Sequence, residues 1–247
     1  MVKLLKKIRN HIISNVLEYP ANQKRKIFYS QFIGKNEIVF DIGANNGNRT
    51  TIFSKLCNKV IAVEPNPELV KLLNKKFGTK IILVPKAIGA ETGETDLFIN
   101  KSNVLSTISQ EWITKVQETK RFGEYSNSFS KKIKVNVVTI NDLIVDYGLP
   151  SFAKIDVEGV EYEIVKTIKN CSIRGISCEF SIPESIKNTL SIITHLNEVG
   201  YNSYNISFGE TMELLTSENL TYDKMTKLIN ALPSTSWGDI YAFSEKK

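Results

Sequence analysis

Several acidic residues and glycines stand at spacings that could bind a ligand. In VFDIGANNGNRTTIF, residues 39–53, Asp41 ends an apolar, strand-like run, and Gly43 and Gly47 flank ANN. A helix is predicted to start near residues 48–51, where an Asn or Thr can cap its exposed N–H groups. Glycine lets a backbone approach a ligand closely, and the first turn after a strand is the crevice of an open parallel sheet. This stretch therefore predicts a binding site.

A second acid indicates what kind of ligand would bind. The run KVIAVEP ends at Glu64, 23 residues after Asp41, close to the spacing at which an acid meets the ribose of a nucleotide. No P-loop or GxGxxG dinucleotide pattern is present. A carboxylate at Asp41 favours a ligand with an ammonium or sulfonium group. S-adenosylmethionine (SAM) carries both groups and a ribose, so it is the predicted cofactor.

A third acidic group follows another strand-like run, in FAKIDVEGVEYEIVKTI. Asp156 closes the apolar strand and is predicted to face the ligand, because binding crevices lie at the carboxyl ends of parallel strands. Glu158 lies in the following turn, and Glu161 in the first helical turn. For Glu161 the helix dipole offers an equally good explanation, since acids at a helix N-terminus are stabilised without any catalytic role.

The elements that must position these acids alternate between β-branched runs and helical stretches. Such alternation predicts a parallel sheet covered by helices on both faces, and the final run GDIYAFS is predicted to join it antiparallel. Residues 86–100 are interpreted as an antiparallel pair turning around residues 91–93. Residues 101–130 are either a lid or an irregular insertion, and a second polar insertion covers 205–236.

Composition limits the class of protein. With 247 residues, 42% of them hydrophobic, the chain is typical of a globular protein. Its lysines are scattered through most of the length, which favours a solvated surface over a polyanion-binding one. Three cysteines, an odd number with no CxxC pair, argue against a secreted disulfide framework, so a cytoplasmic location is predicted.

The N-terminal region is predicted to be a helical extension, residues 1–34, on a domain formed by residues 35–247. Basic residues interrupt its apolar ones, so neither a signal peptide nor a transmembrane helix is expected. Apolar residues at helical spacing form one face here, which fits a weak membrane-surface contact or, as we favour, a helix docked on protein: Leu4, Leu5, Ile8, Ile12 and Val16.

Four stretches, VFDIGANNGNRT, AVEPNPEL, KAIGAETGETDLFI and KIDVEGVEYEIVKTI, together resemble the FkbM family of SAM-dependent methyltransferases over roughly residues 39–180. The resemblance implies a class I Rossmann-like methyltransferase fold, α/β, with a mostly parallel seven-stranded sheet and an antiparallel C-terminal strand. It implies O-methylation of a sugar, glycan or small natural-product hydroxyl. It also implies the cofactor-binding residues Asp41, Gly43, Ala44, Asn45, Gly47, Glu64, Pro65, Ala87 and Asp156.

A hydroxyl acceptor loses a proton when it is methylated, and Asp156, Glu158 or Glu161 could accept that proton. The same acids, joined by Asp239, could hold a divalent metal, but the sequence has no His-rich site and metal dependence is not favoured. His195 is predicted to be a structural residue of a helix.

Nucleic acid is not the expected acceptor, since the chain has no NPP[YF] clamp and no cysteine that follows a proline. Another reading is a non-catalytic SAM-binding or scaffold module, which would keep Asp41 and Glu64 but tolerate loss of Asp156 and Glu158. The oligomeric state is left open.

Overall fold

The structure, a computed structural model, describes residues 20–244. The predicted amphipathic face at residues 4–16 lies outside this range. The strands of the main sheet are β1 (Ile38–Ile42), β2 (Lys59–Val63), β3 (Ile82–Val84), β7 (Phe152–Ile155), β8 (Gly175–Ser181), β9 (Ser203–Phe208) and β10 (Trp237–Phe243). A smaller sheet contains β4 (Ala87–Ile88), β5 (Gly93–Asn100) and β6 (Phe129–Val138). The helices are α1 (20–29), α2 (Asn48–Leu56), α3 (Pro67–Phe77), α4 (Gln110–Thr119), α5 (Ile140–Tyr147), α6 (Glu161–Val165), α7 (Ile186–Glu198) and α8 (Tyr222–Ala231).

The main sheet has the order β3-β2-β1-β7-β8-β10-β9. Strands β3, β2, β1, β7 and β8 pair in parallel, whereas β10 pairs antiparallel with both β8 and β9. The predicted class I arrangement with an antiparallel C-terminal strand is confirmed. That last strand is inserted between β8 and β9, so all its backbone groups can pair on both sides.

Helices cover both faces of this sheet because successive strand residues point to opposite sides. Val60 and Ala62 pack with α1, α2 and α3, whereas Ile61 and Val63 pack with α5, α6, α7 and α8. Most residues of these strands are therefore apolar, as expected for a parallel sheet buried on both faces; the charged exceptions include Asp41, Lys154 and Glu179. Among residues 20–244, no helix is both long and apolar enough to cross a membrane.

The interpretation of residues 86–100 as an antiparallel pair is wrong. Strand β6 lies between the two predicted partners, pairing parallel with β4 and antiparallel with β5. Both β4 and β5 therefore pair with a strand that lies far along the chain: Ala87 of β4 pairs with Val137, and Asn100 of β5 pairs with Phe129. The sequence of residues 86–100 has no feature that indicates this distant partner strand.

Each of the two polar insertions contains a helix that its polar composition did not predict. Helix α4 lies within residues 101–130; the Ser109 side chain accepts a hydrogen bond from the Trp112 N–H at 3.1 Å and caps it. Helix α8 lies within 205–236, a range that also begins inside β9. The predicted cap of α2 is also wrong: Gly47, which has no side chain, stands at the N-cap, and the Asn48 N–H donates instead to the Asn46 side chain at 3.2 Å.

An aromatic cluster attaches α1 to the sheet. The ring of Phe28 lies 5.2 Å from that of Tyr29 and 5.5 Å from that of Tyr241 on β10, centroid to centroid. Phe28 and Tyr29 are fully buried among residues of α2, β7 and β10. This contact draws α1 into the same core as the sheet.

We predict that Phe28→Ala lowers the free energy of unfolding by about 3–5 kcal/mol, because it removes a buried aromatic ring and leaves a cavity. Its neighbour Ile27, which is 69% exposed, supplies the matched control. Ile27→Ala should change the free energy of unfolding by no more than about 0.5 kcal/mol. Urea denaturation measures both, and equal effects of the two substitutions would contradict the docking of α1.

Candidate active site

A cavity of about 580 Å³ opens at the carboxyl ends of β1, β2, β7 and β8. It brings together most of the predicted site residues: Asp41, Gly43, Ala44, Asn45, Glu64, Pro65, Ala87, Asp156 and Glu158. Gly47 and Glu161 do not line it. Parallel strands place their carboxyl ends at one edge of the sheet, which is why acids far apart in sequence meet here.

The turn from β1 into α2 passes very close to the end of β7. Gly43 has φ +86°, and a Cβ atom there would lie 1.7 Å from the Asp156 carbonyl oxygen. Asn45 and Gly47 also have positive φ, so the turn depends on residues that tolerate left-handed backbone. Gly47 packs on α3, where a Cβ would approach Phe77 within 2.6 Å. Its role is therefore to seat α2 against α3.

Asp41 is a buried carboxyl group at the bottom of this turn, only 2% exposed. Its Oδ2 accepts a hydrogen bond of 2.5 Å from the Thr50 hydroxyl of α2. Burial raises the pKa of Asp41, and the hydrogen bond from Thr50 only partly offsets this. A cationic ligand group placed against Asp41 would stabilise the ionised form.

Glu64, directly after β2, connects two loops of the site. Its carboxylate accepts backbone N–H hydrogen bonds from Asn45 and Asn66, each 2.8 Å long. Burial raises the pKa of Glu64 to about 7, against the lowering effect of these two bonds. Each oxygen keeps a lone pair, so the ionised carboxylate can also accept from a ligand hydroxyl.

A buried ammonium group lies beneath the acids. Lys154 of β7 is 2% exposed, and its Nζ is 2.6 Å from Asp156 and 3.5 Å from Asp239 of β10. Burial acts against the charge of Lys154, but the two carboxylates outweigh it and raise the Lys154 pKa well above its usual value. For Asp156, burial is likewise outweighed, chiefly by Lys154, and the pKa is lowered. Asp156 is therefore held as a carboxylate.

Three carboxyl groups cluster above this lysine: Asp156, Glu158 and Glu179, with one oxygen of each within 4.8 Å of the others. Burial, followed by the charge of Asp156, raises the pKa of Glu158 and of Glu179 well above their ordinary values. Such a group can share protons or hold a divalent cation. Asp239 does not belong to it and instead pairs with Lys154.

Sequence reasoning missed Glu179 and Lys154. Glu179 is the one acid inside the apolar run GISCEF, and Lys154 the one cation inside FAKI. A charged residue interrupting a buried strand was the available signal, because such a residue needs a partner to be buried.

The Glu161 side chain is hydrogen-bonded to backbone N–H groups of the turn after β7. Its carboxylate accepts hydrogen bonds from the N–H of Val157 at 3.1 Å and of Gly159 at 3.0 Å, which stabilises the turn that carries Glu158. Glu158 itself has φ +58°, an uncommon conformation for a glutamate. His195 lies on α7, with its Nε2 2.8 Å from the Ile168 carbonyl oxygen, and it does not line the cavity.

Residues 103–122 cover one side of the cavity, and Trp112 and Phe122 are among its lining residues. Arg121 ties this segment to the end of β8 by donating to the Ser181 hydroxyl at 2.9 Å and to the Ile182 carbonyl at 3.0 Å. The segment predicted as a lid or an insertion therefore forms a wall of the site.

The raised pKa of Glu64 predicts a pH dependence of stability. A carboxyl group whose pKa is higher in the folded state stabilises the fold at low pH, and this contribution is lost as the pH rises through about 7. The free energy of unfolding of wild type minus that of Glu64→Gln should fall by about 3 kcal/mol between pH 4.5 and pH 8. Urea titrations at both pH values measure it; an exposed-site variant, Glu68→Gln, is the control. A difference that does not change with pH would contradict the assignment.

Comparison with known proteins gives matches of three kinds. A family model described as Methyltransferase FkbM domain matches residues 41–203. The probable ribosomal RNA small subunit methyltransferase A of Methanosarcina barkeri (strain Fusaro / DSM 804) is 37% identical over 82 residues, which make up 32% of this chain and 28% of that protein. Among solved structures, precorrin-6y C5,15-methyltransferase from Geobacter metallireducens GS-15 shares 12% identity with a TM-score of 0.47, over 90% of this chain and 87% of that one.

Methyltransferase FkbM from Methylobacillus flagellatus KT shares 14% identity with a TM-score of 0.45, over 94% of this chain and 60% of that one. The FkbM family model covers more than half of the 247 residues and includes the turn after β1, the acid after β2 and the acids after β7. The chain therefore belongs to the FkbM methyltransferase domain family.

Proposed function

We propose that this chain is a SAM-dependent methyltransferase that transfers the methyl group to a hydroxyl of a sugar, glycan or small natural-product acceptor. The observation that carries the proposal is a single cavity in which Asp41 and Glu64 lie at the ends of β1 and β2, and the three-carboxyl cluster lies at the ends of β7 and β8. One end of the cavity thus suits a cationic amino acid and a ribose, and the other suits proton transfer.

The residues fit SAM. Asp41 is a buried carboxyl group that gains a counterion if an ammonium binds beside it. Glu64 offers lone pairs to ribose hydroxyls while its two N–H bonds keep it in place. The glycine at position 43 leaves the turn after β1 without a side chain in the crevice. Ala87 and Pro65 leave apolar space for the adenine ring further along the same wall.

SAM supplies an electrophilic methyl group on a sulfonium. The chain's own residues then have to align the acceptor hydroxyl with that methyl group, exclude water and accept the hydroxyl proton. Asp156, held ionised by Lys154, would provide a fixed negative charge near the reacting groups. We assign the proton to Glu158, because a carboxyl group with a raised pKa is a stronger base once ionised.

The walls support a small polyhydroxylated acceptor. Trp112, Phe122 and Trp237 line the same cavity as Asp156, Glu158 and Glu179. Aromatic faces pack against the apolar face of a ring while carboxylates accept its hydroxyl hydrogen bonds, and both kinds of group are present here. A divalent metal at the carboxyl cluster is not favoured, because the Lys154 ammonium already neutralises part of its charge.

The proposal predicts that SAM binds with micromolar affinity, and that Asp41→Asn weakens this binding at least about tenfold, or 1.4 kcal/mol. The amide keeps the shape but loses the counterion for the ammonium. Isothermal titration calorimetry with SAM, with and without Mg²⁺, measures it, and NAD⁺ serves as a negative control. Asp146→Asn, an exposed position on α5, is the matched variant and should bind like wild type. Absence of SAM binding to wild type would reject the cofactor assignment.

A second prediction concerns the chemical step. Glu158→Gln should lower turnover by about 10²-fold or more, the range expected for loss of a general base, while SAM affinity changes only a few-fold. Glu163→Gln, on the exposed face of α6, is the control. Methyl transfer from radiolabelled SAM to a panel of sugars, glycans and a ribosomal RNA fragment measures activity. Transfer to the RNA alone would overturn the acceptor class, and SAM binding without transfer to any acceptor would favour a non-catalytic SAM-binding module.

A further inference from the structure

If the cavity binds the amino-acid end of SAM, it must supply a positive charge for the α-carboxylate. Of the described residues, the cationic side chains that line it are Arg49, Lys86, Arg121 and Lys154. Lys154 already bridges two aspartates, and Arg121 donates to groups at the end of β8. Lys86 follows β3, two strands away from β1 in the sheet. Of these four residues, Arg49 belongs to the first turn of α2, which directly follows the turn after Asp41 and β1.

Arg49 is directly connected to the predicted ammonium site. The next residue, Thr50, donates its hydroxyl hydrogen bond to Asp41. In an amino acid the ammonium and the carboxylate are attached to the same carbon atom. A ligand whose ammonium meets Asp41 therefore places its carboxylate within a few bond lengths, beside the first turn of α2.

The guanidinium of Arg49 is hydrogen-bonded through its two Nη atoms, whereas its Nε–H donor has no acceptor. Its Nη1 and Nη2 donate to the two carboxylate oxygens of Glu210, at 3.1 and 2.7 Å. Its Nε is shielded from solvent and has no hydrogen-bond partner. A guanidinium has five N–H donors, so the Nε–H and the neighbouring Nη–H form a second edge that matches a carboxylate. A buried donor without an acceptor is unfavourable, which points to a ligand at this edge.

Glu210 fixes that guanidinium from the opposite side. It belongs to the loop that follows β9, and it also accepts a hydrogen bond of 3.0 Å from Arg25 of α1. The tyrosine ring of Tyr29 lies 5.9 Å from the Arg49 guanidinium carbon. Three separate parts of the chain, namely α1, α2 and the loop after β9, thus converge to hold one cationic group at the cavity wall.

We propose that Arg49 binds the α-carboxylate of SAM through its free Nε edge, and that Glu210 is the positioning residue that orients the guanidinium. The inference rests on the proposed function, since it assumes SAM as the cofactor. It adds a residue that decides between SAM and related sulfonium compounds that lack the carboxylate.

The test compares two ligands by isothermal titration calorimetry: SAM, and decarboxylated SAM, which keeps the sulfonium, the ammonium and the ribose. For Arg49→Gln, we expect the Kd for SAM to rise at least about tenfold and the Kd for decarboxylated SAM to change less than about twofold. Lys24→Gln is the matched control, because Lys24 also lies on α1 and pairs with Glu213 in the loop after β9, but does not line the cavity. It should leave both Kd values within about twofold of wild type.

Glu210→Gln tests the positioning role and should weaken SAM binding about three- to fivefold, again without affecting the decarboxylated ligand. Equal losses for both ligands, or equal Kd values of the two ligands for wild type, would overturn the assignment. Tighter SAM binding by Glu210→Gln would overturn the role of Glu210. If Arg49→Gln fails to fold, as judged by circular dichroism, Arg49→Lys keeps the charge without the two-donor edge and should still lose SAM selectively. Failure of wild type to bind either ligand would instead reject SAM as the cofactor.

Discussion

The site depends on a buried lysine in the middle of the sheet and its two aspartate partners. Lys154 lies on the central strand β7 and contacts Asp156 at the end of its own strand and Asp239 on β10. Without this ammonium, several carboxyl groups would share a poorly solvated cavity with only their mutual repulsion. A lysine buried at this depth is stable only with such partners, so each charge here requires the others. The arrangement leaves Asp156 ionised, whereas Glu158 and Glu179 hold their protons more tightly.

At the same edge of the sheet, the backbone turns that form the site are packed closely and are held in place by carboxylates. The turn after β1 approaches β7 so closely that only a glycine fits at position 43. Glu64 then fastens that turn to the loop after β2 through two N–H bonds, and Glu161 fastens the turn after β7 in the same way. Two of the acids near the cavity therefore shape loops. These loop-shaping carboxylates differ from the clustered ones in what their oxygens accept, not in where they stand in the sequence.

The remaining walls come from segments that connect the strands. Residues 103–122 are attached to the end of β8 by Arg121, and the loop after β9 is attached to α1 and α2 by Glu210. Fixed loops of this kind shape a cavity, and loops on a rigid sheet are where related folds acquire different substrates.

The sequence alone determined the alternating α/β order, the sheet class and the acids at the strand ends. These features follow from local rules: apolar periodicity sets strand and helix, and the carboxyl ends of parallel strands meet at one edge, so Asp41, Glu64 and Asp156 had to approach each other. Only the tertiary structure decided which residues and strands that are distant in the sequence become partners. It placed β6 between β4 and β5, brought Glu179 and Lys154 to the cluster, and turned Glu161 towards the backbone. Those outcomes depend on which distant chain segment supplies a hydrogen bond or a countercharge, and local residue patterns carry no record of that segment.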